Sequence, residues 1–232
     1  MIGANSSLAA NKYLYSTLPY DPQADLTPVA FLGTGAMVVV TSQGSGIRTM
    51  QDLLARAKAA PDKVFFGAAN PTARVWVELA KPKIGADSPT ILYANASPMF
   101  NELMGNQITA SIDNTGTMRP LISSGKLVAL AVTSQKRSKF DPNVPTLNEL
   151  GLSDAVIDPW FAVFAPKNTP PQIVKKLNAE INALQSNADY IQAKDFNEWS
   201  DGGWSPEQLA KFQGEEIKKW QDIVSRTGIK LD

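Results

Sequence analysis

The sequence contains neither cysteine nor histidine. The first absence excludes disulfides, a thiolate nucleophile and cysteine-ligated zinc. The second removes the commonest general base and the commonest metal ligand, which leaves an enzyme only carboxylates or lysine to work with. Net charge is missing too: 22 Lys and Arg balance 22 Asp and Glu. No basic field therefore exists to hold nucleic acid or an anionic membrane. No apolar run approaches the length of a membrane span, which argues against direct insertion. No signal peptide is visible, and Met1–Asn5 is too short for the hydrophobic region of one; it fits a buried strand better. The glycines near Gly44 and Gly46 are not followed by Gly-Lys-Ser/Thr, so they form no phosphate loop.

What remains is an ordinary globular composition, 44% hydrophobic over 232 residues. That is enough for one large domain or two small α/β lobes. The most informative stretch runs from Tyr93 to Asn114. Its grammar is strand end, helix, strand: Leu92 and Tyr93 close an apolar run, Ser97 can cap a helix, and Pro98 suits its first turn. Phe100, Leu103 and Met104 give that helix an apolar face, and Gly105 ends it. Ile108–Ile112 is then a strand ending in Asp113-Asn114. Small polar loops at strand ends that lead into helix N-termini are where open α/β sheets bind ligands, and exposed N–H groups there favour an anion.

The same grammar occurs at Val64–Phe66, which runs into Gly67, Ala68, Ala69, Asn70, Pro71 and Thr72. Arg74 beside it either pairs bidentately with a carboxylate or is a surface arginine on a first helical turn. Asn5, Ser6 and Ser7 follow the first strand and either cap the next helix or donate to a ligand. Trp160 and Phe161, in an extended segment over Val156–Pro166, either cover a ligand or pack in a core.

Further helices are expected over Thr49–Ala59, capped by Thr49 with Asp52 in its first turn, over Thr117–Ser124, and as a short turn of helix over Leu147–Gly151. Thr169 is expected to cap a helix whose stripe is Ile173, Leu177, Ile181 and Leu184, read as core. Ser205 and Gln208 form a capping box before a last helix faced by Leu209, Phe212, Ile217, Trp220, Ile223 and Val224. Leu127–Thr133 suits a strand buried on both faces, and alternating strands and helices point to a parallel sheet. Ser42–Gly46 is the expected first crossing between lobes and Val156–Pro166 the second. The lobes are then residues 1–42 with 156–232, and residues 43–155.

LPYDPQADLTPVAFLG, GNQITASIDN, SSGKLVALAVTSQKRS, NVPTLNELGL, WFAVFAPKNTPPQIVKKLNAEIN and SPEQLAKFQGEEIKKW follow one another in an order that resembles the solute-binding proteins of tripartite tricarboxylate transporters, the Bug family. The resemblance covers nearly the whole chain. It implies a two-lobed α/β fold of the type II periplasmic-binding class, the Venus flytrap. It implies a periplasmic receptor that holds a small organic carboxylate in an inter-lobe cleft and delivers it to a membrane permease, with no cofactor and no catalysis. By that resemblance Asn5, Ser6 and Ser7 match a polar strand end, and Ala69, Asn70 and Thr72 an anion loop. Tyr93 matches a strand-end tyrosine, Asp113 and Asn114 an Asp-Asn pair, and Trp160 and Phe161 a crossing strand.

Three departures stand out. The family's N-terminal βαβα block and export signal have no counterpart, so the first lobe is expected to be incomplete, with an exposed sheet edge prone to pairing. The Asn70 loop is short, with Arg74 near the place of a usual histidine. After Tyr93 the usual Lys-Gly is Ala94-Asn95. The alternatives to a transport receptor are a ligand-sensing or interaction module of the same fold, or a degenerate paralogue. An enzyme would have to rest on Asp113 and Arg74, with no nucleophile motif to help them.

Overall fold

The computed structural model describes residues 1–152, 156–200 and 202–231. In chain order the strands and helices are β1 (Ile2–Ala4), α1 (Asn11–Leu14), β2 (Leu26–Thr34), β3 (Met37–Ser42), α2 (Met50–Ala59), β4 (Phe66–Ala68), α3 (Pro71–Ile84), β5 (Ile91–Leu92), α4 (Ala96–Met104) and β6 (Ala110–Asn114). They continue with α5 (Thr115–Ser123), β7 (Leu127–Val132), β8 (Trp160–Pro166), α6 (Pro171–Ala183), α7 (Ala188–Asn197) and α8 (Pro206–Thr227). The chain divides into two units, Met1–Thr34 with Pro159–Asp232, and Gly35–Asp158.

The second unit is built on β3, whose six residues are all buried. Alternation along a strand sends successive side chains to opposite faces. Met37 and Val39 join a core with Met50 and Leu53 of α2 and Trp76 and Val77 of α3. Val38 and Val40 join a second core with Met99 and Leu103 of α4 and Met118 of α5. Helices thus cover both faces of a five-stranded sheet ordered β5-β4-β6-β3-β7. β5, β4 and β6 are parallel, but β3 runs antiparallel to both β6 and β7. The all-parallel expectation is corrected here: β3 is the strand by which the chain enters this unit, and no βαβ crossover dictates its direction. β7 lies at the sheet edge, and, as expected of a strand covered on both faces, none of its residues is exposed.

The first unit holds an antiparallel sheet ordered β1-β8-β2. Against it pack α6 and α8; Phe31 of β2 stacks on Trp204 at 3.9 Å and meets Phe212 of α8 edge-on. α8 opens with the reciprocal capping box of Ser205 and Gln208 and closes at left-handed Gly228. Its buried face also takes in Gln213, whose Nε2 donates to the carbonyls of Leu8 and Pro22 at 2.9 and 3.0 Å.

Three further expectations change. The first crossing is at Thr34/Gly35, not Ser42–Gly46, because β3 finds partners on both sides in the second unit. The second, at Asp158/Pro159, falls inside the expected segment. Leu147–Gly151 is a closed turn rather than a helix. Residues 153–155, assigned from sequence to the lobe 43–155, lie outside the described residues. Most of the expected stripe is not core: Ile173, Leu177 and Leu184 are 46%, 40% and 46% exposed, and Ile181 alone packs against the cluster of Val29, Ala30 and Val174. α6 faces its sheet with Val174 and with Asn178, whose Nδ2 donates to Val29 and Trp204 carbonyls. Substituting Ile173 or Leu177 by serine is therefore expected to change stability by less than about 1 kcal/mol, whereas Val174→Ala costs roughly 1–2 kcal/mol. Urea midpoints of the three variants check the assignment; a large loss at Leu177 would restore the core reading.

Candidate functional site

The parallel strands of the second unit end together. Tyr93 N donates to the carbonyl of Ala68 at 3.0 Å, tying the end of β5 to that of β4, and β4 lies beside β6. Each strand feeds a helix, so the N-termini of α3, α4 and α5 follow these ends. The first N–H groups of a helix have no intrahelical partner, and the helix dipole favours negative charge near them. This edge carries Ala69, Asn70, Thr72, Arg74, Tyr93, Asn95, Asp113 and Asn114, eight of the thirteen residues expected from sequence.

Two of them are occupied by local structure. Asn70 caps α3, its side-chain oxygen accepting from Ala73 N at 2.8 Å. Asn95, not Ser97, caps α4, accepting from Ser97 N at 3.2 Å; Ser97 and Pro98 lie in the first turn. Capping uses the amide oxygen and leaves the NH₂ of each side chain as a donor. Thr72 is buried in the first turn of α3, and Arg74 is half-buried on it. Ala69 and Tyr93 pack against the core beside α4. The Tyr93 hydroxyl donates to Glu102 Oε2 at 2.6 Å, and burial followed by that carboxylate pushes the phenol well above its ordinary value. Glu102 escaped the sequence reading because it sits mid-helix, with no motif to mark it.

Asp113 is the most unusual group at this edge. It is 4% exposed and pairs across the sheet with Val38. Its Oδ1 accepts from Asn114 N at 2.7 Å and Asn114 Nδ2 at 3.2 Å. Burial raises its pKa above the usual carboxylate range, and the two Asn114 bonds only partly oppose that. Asn114 makes no side-chain cap on α5; Thr115 instead ties the start of that helix to the carbonyl of Ala36.

The first unit holds the other five. Asn5 is buried with helical backbone angles and makes no capping bond to the turn that follows. Ser6–Ala10 is a π-type turn, Asn11 N donating to the Ser6 carbonyl. Ser7 Oγ donates to the Ala4 carbonyl at 3.1 Å, and its own carbonyl accepts from the Tyr20 hydroxyl at 2.7 Å. The capping alternative for these three is thus not the one realised. Trp160 is 1% exposed, and its indole N–H donates to Glu216 Oε2 at 2.9 Å, as a packed residue does. Phe161 is half-buried and stacks on Trp199 at 4.6 Å, a partner 38 residues away that no local pattern indicates.

A groove of about 620 Å³ lies elsewhere in the second unit, beside β7, and none of the thirteen residues lines it. Its arginines are already engaged, Arg48 with the carbonyls of Ile47 and Gln43, Arg137 with Glu149. Donor chemistry therefore favours the strand ends. Among the described residues no group of three or more acidic side chains is arranged to hold a metal.

The chain is similar to protein BugT of Bordetella pertussis, 36% identical over 231 residues, which covers 98% of this chain and 71% of that protein. It spans 66% of the length of the next two curated relatives it matches. A solved periplasmic transporter superposes with a TM-score of 0.92 at 29% identity, covering 100% of this chain and 78% of the other. Rpa4515 of R. palustris, solved with adipate, superposes with a TM-score of 0.90 at 28% identity, over 99% and 77% of the two chains. The fold is that of the periplasmic binding proteins. Residues 1–229 match the family described as the tripartite tricarboxylate transporter family receptor, TctC, and the chain belongs to that family of solute-binding receptors.

Proposed function

We propose that this chain is an extracytoplasmic receptor that captures a small carboxylate and presents it to the membrane permease of a tripartite tricarboxylate-type transporter. The observation that carries the reading is the second unit's edge, where three parallel strand ends meet three helix N-termini. Such an edge supplies fixed N–H donors to a carboxylate without any lysine or arginine contact, in keeping with a family of receptors and a relative solved with adipate. The proposed ligand contacts are the amides of Asn70 and Asn95, the hydroxyl of Thr72, Asp113 and Asn114, with Ala69 and Tyr93 as walls and Arg74 at the rim. Within the first unit, Asn5, Ser6, Ser7 and Phe161 are proposed as ligand-binding residues. A periplasmic location follows from the same reading; among the described residues no helix is long and apolar enough to cross a membrane.

Thermal unfolding against a panel of acids, with adipate and malate first, tests this. A ligand at a hundredfold excess over its Kd stabilises the folded chain by about 2.7 kcal/mol, or roughly 5–10 °C at this size. A shift of that size with one acid is the expected result. A chain that melts cooperatively and responds to no acid on the panel would overturn the reading.

A further inference from the structure

Asp113 sets a condition on any anion bound at the second unit's strand ends. Its neighbour Ile112 belongs to the core beneath α2 and α3, and Val38, opposite Asp113, belongs to the core beneath α4 and α5. By strand alternation the Asp113 carboxyl is on the α4/α5 face, the face that also carries Ala69 and Tyr93. Its Oδ1 is taken by Asn114, and among the described residues no donor reaches Oδ2. Nor, among the described residues, does any cation pair with it. β3 and β4 carry no titratable residue. On α5 the only charged residue is Arg119, whose guanidinium lies 3.6 Å from the centroid of the Phe140 ring. α4 presents Glu102, which accepts from Tyr93. Arg74, Glu78, Lys81 and Lys83 of α3 belong to a helix packed on the other core. The carboxyl is therefore buried at the head of α5, and a second anion on the same donors would meet it with Arg74 only at the rim of the site. Like charges sharing one buried site disfavour double ionisation.

We propose, resting on the receptor reading above, that the site takes its acid together with a proton. Asp113 becomes the neutral acid when a carboxylate docks, and its O–H donates to the ligand through Oδ2. One proton moves from solvent to Asp113 per ligand bound. Burial shifts Asp113 toward the neutral form in the same direction. The consequence is a receptor that loads more tightly as the medium acidifies.

Calorimetric titration of adipate and malate from about pH 6.5 to 8.5, where such ligands are fully ionised, reads this directly. Two buffers of different ionisation enthalpy count the protons. One proton taken up per ligand and affinity falling about tenfold per pH unit are expected once Asp113 is ionised in the free protein. Asp113→Asn supplies a neutral donor at every pH: it binds more tightly than the parent at pH 8.5 and loses the slope. A parent with no proton uptake, a variant that keeps the slope, or a folded variant that no longer binds would each overturn the proposal. Binding with no proton uptake would leave the receptor reading intact. Heatless titrations with every acid at every pH would instead remove the receptor reading, and this inference with it.

Discussion

Trp160→Ala is expected to destabilise the chain by about 3–5 kcal/mol, the range for removing a fully packed large aromatic. The total stability of a domain is roughly 5–15 kcal/mol, so this variant stands near the edge of folding. Two losses combine. The indole leaves a cavity on β8, the middle strand of the first unit's sheet, where its ring now meets Phe212 edge-on at 5.2 Å. Glu216 loses the N–H that satisfies its Oε2, although Lys219 stays 3.6 Å from its other oxygen. Trp160→Phe separates the two, since it keeps most of the ring contact and loses only the hydrogen bond, at about 1.5–3 kcal/mol for a charged acceptor. Unfolding in urea measures both. The sequence left Trp160 open between covering a ligand and packing. A Trp160→Ala protein with an unchanged midpoint and weakened acid binding would return it to the ligand.

Local chemistry was the most legible part of this chain. The Ser205/Gln208 capping box forms as the sequence predicts, and Thr49 caps α2 as expected, with Asp52 completing a reciprocal box there; in each the partners are only three residues apart. The strand-end loops at Ala69–Asn70 and Tyr93–Asn95 were legible for the same reason. What the sequence did not reveal is that Asn70 and Asn95 serve as caps, because ligand donors and N-caps are drawn from the same residue types. Periodicity found the stripe of Ile173, Leu177, Ile181 and Leu184 but not that only Ile181 turns to the core. Which side of a helix meets the sheet is decided by distant residues, here Val29 and Trp204 through Asn178. The same distance effect hid the antiparallel course of β3 and the placement of the first crossing at Gly35. Asp113 was visible as a strand-end acid, while its burial and lack of a cation are properties of the packed layers around it.

Gly33→Ala is expected to cost roughly 2–4 kcal/mol, far more than an added methyl on an exposed strand. β2 changes register against β8 between Phe31 and Gly33, and Gly33 lies at φ 145°, a region that an L side chain rarely enters. The space is filled as well: a Cβ there would lie 2.7 Å from the Ser200 carbonyl oxygen and 3.4 Å from Trp199 Cβ. Ser200 cannot simply retreat. Its N–H donates to the Thr34 carbonyl at 2.8 Å and its Oγ accepts from Thr34 N at 2.9 Å. Trp199 is held in turn by its stack on Phe161. An alanine at 33 therefore sets backbone strain against two hydrogen bonds and an aromatic pair. Gly46→Ala is the control, because its φ of 76° carries strain while nothing lies within 4 Å of its Cβ; a loss of about 1 kcal/mol is expected. The excess loss at position 33 measures the grip of residues 199–200 on the end of β2. Equal losses at the two glycines would mean that this strap gives way at little cost, and tryptophan fluorescence from the Phe161–Trp199 stack should then change with no matching change in stability.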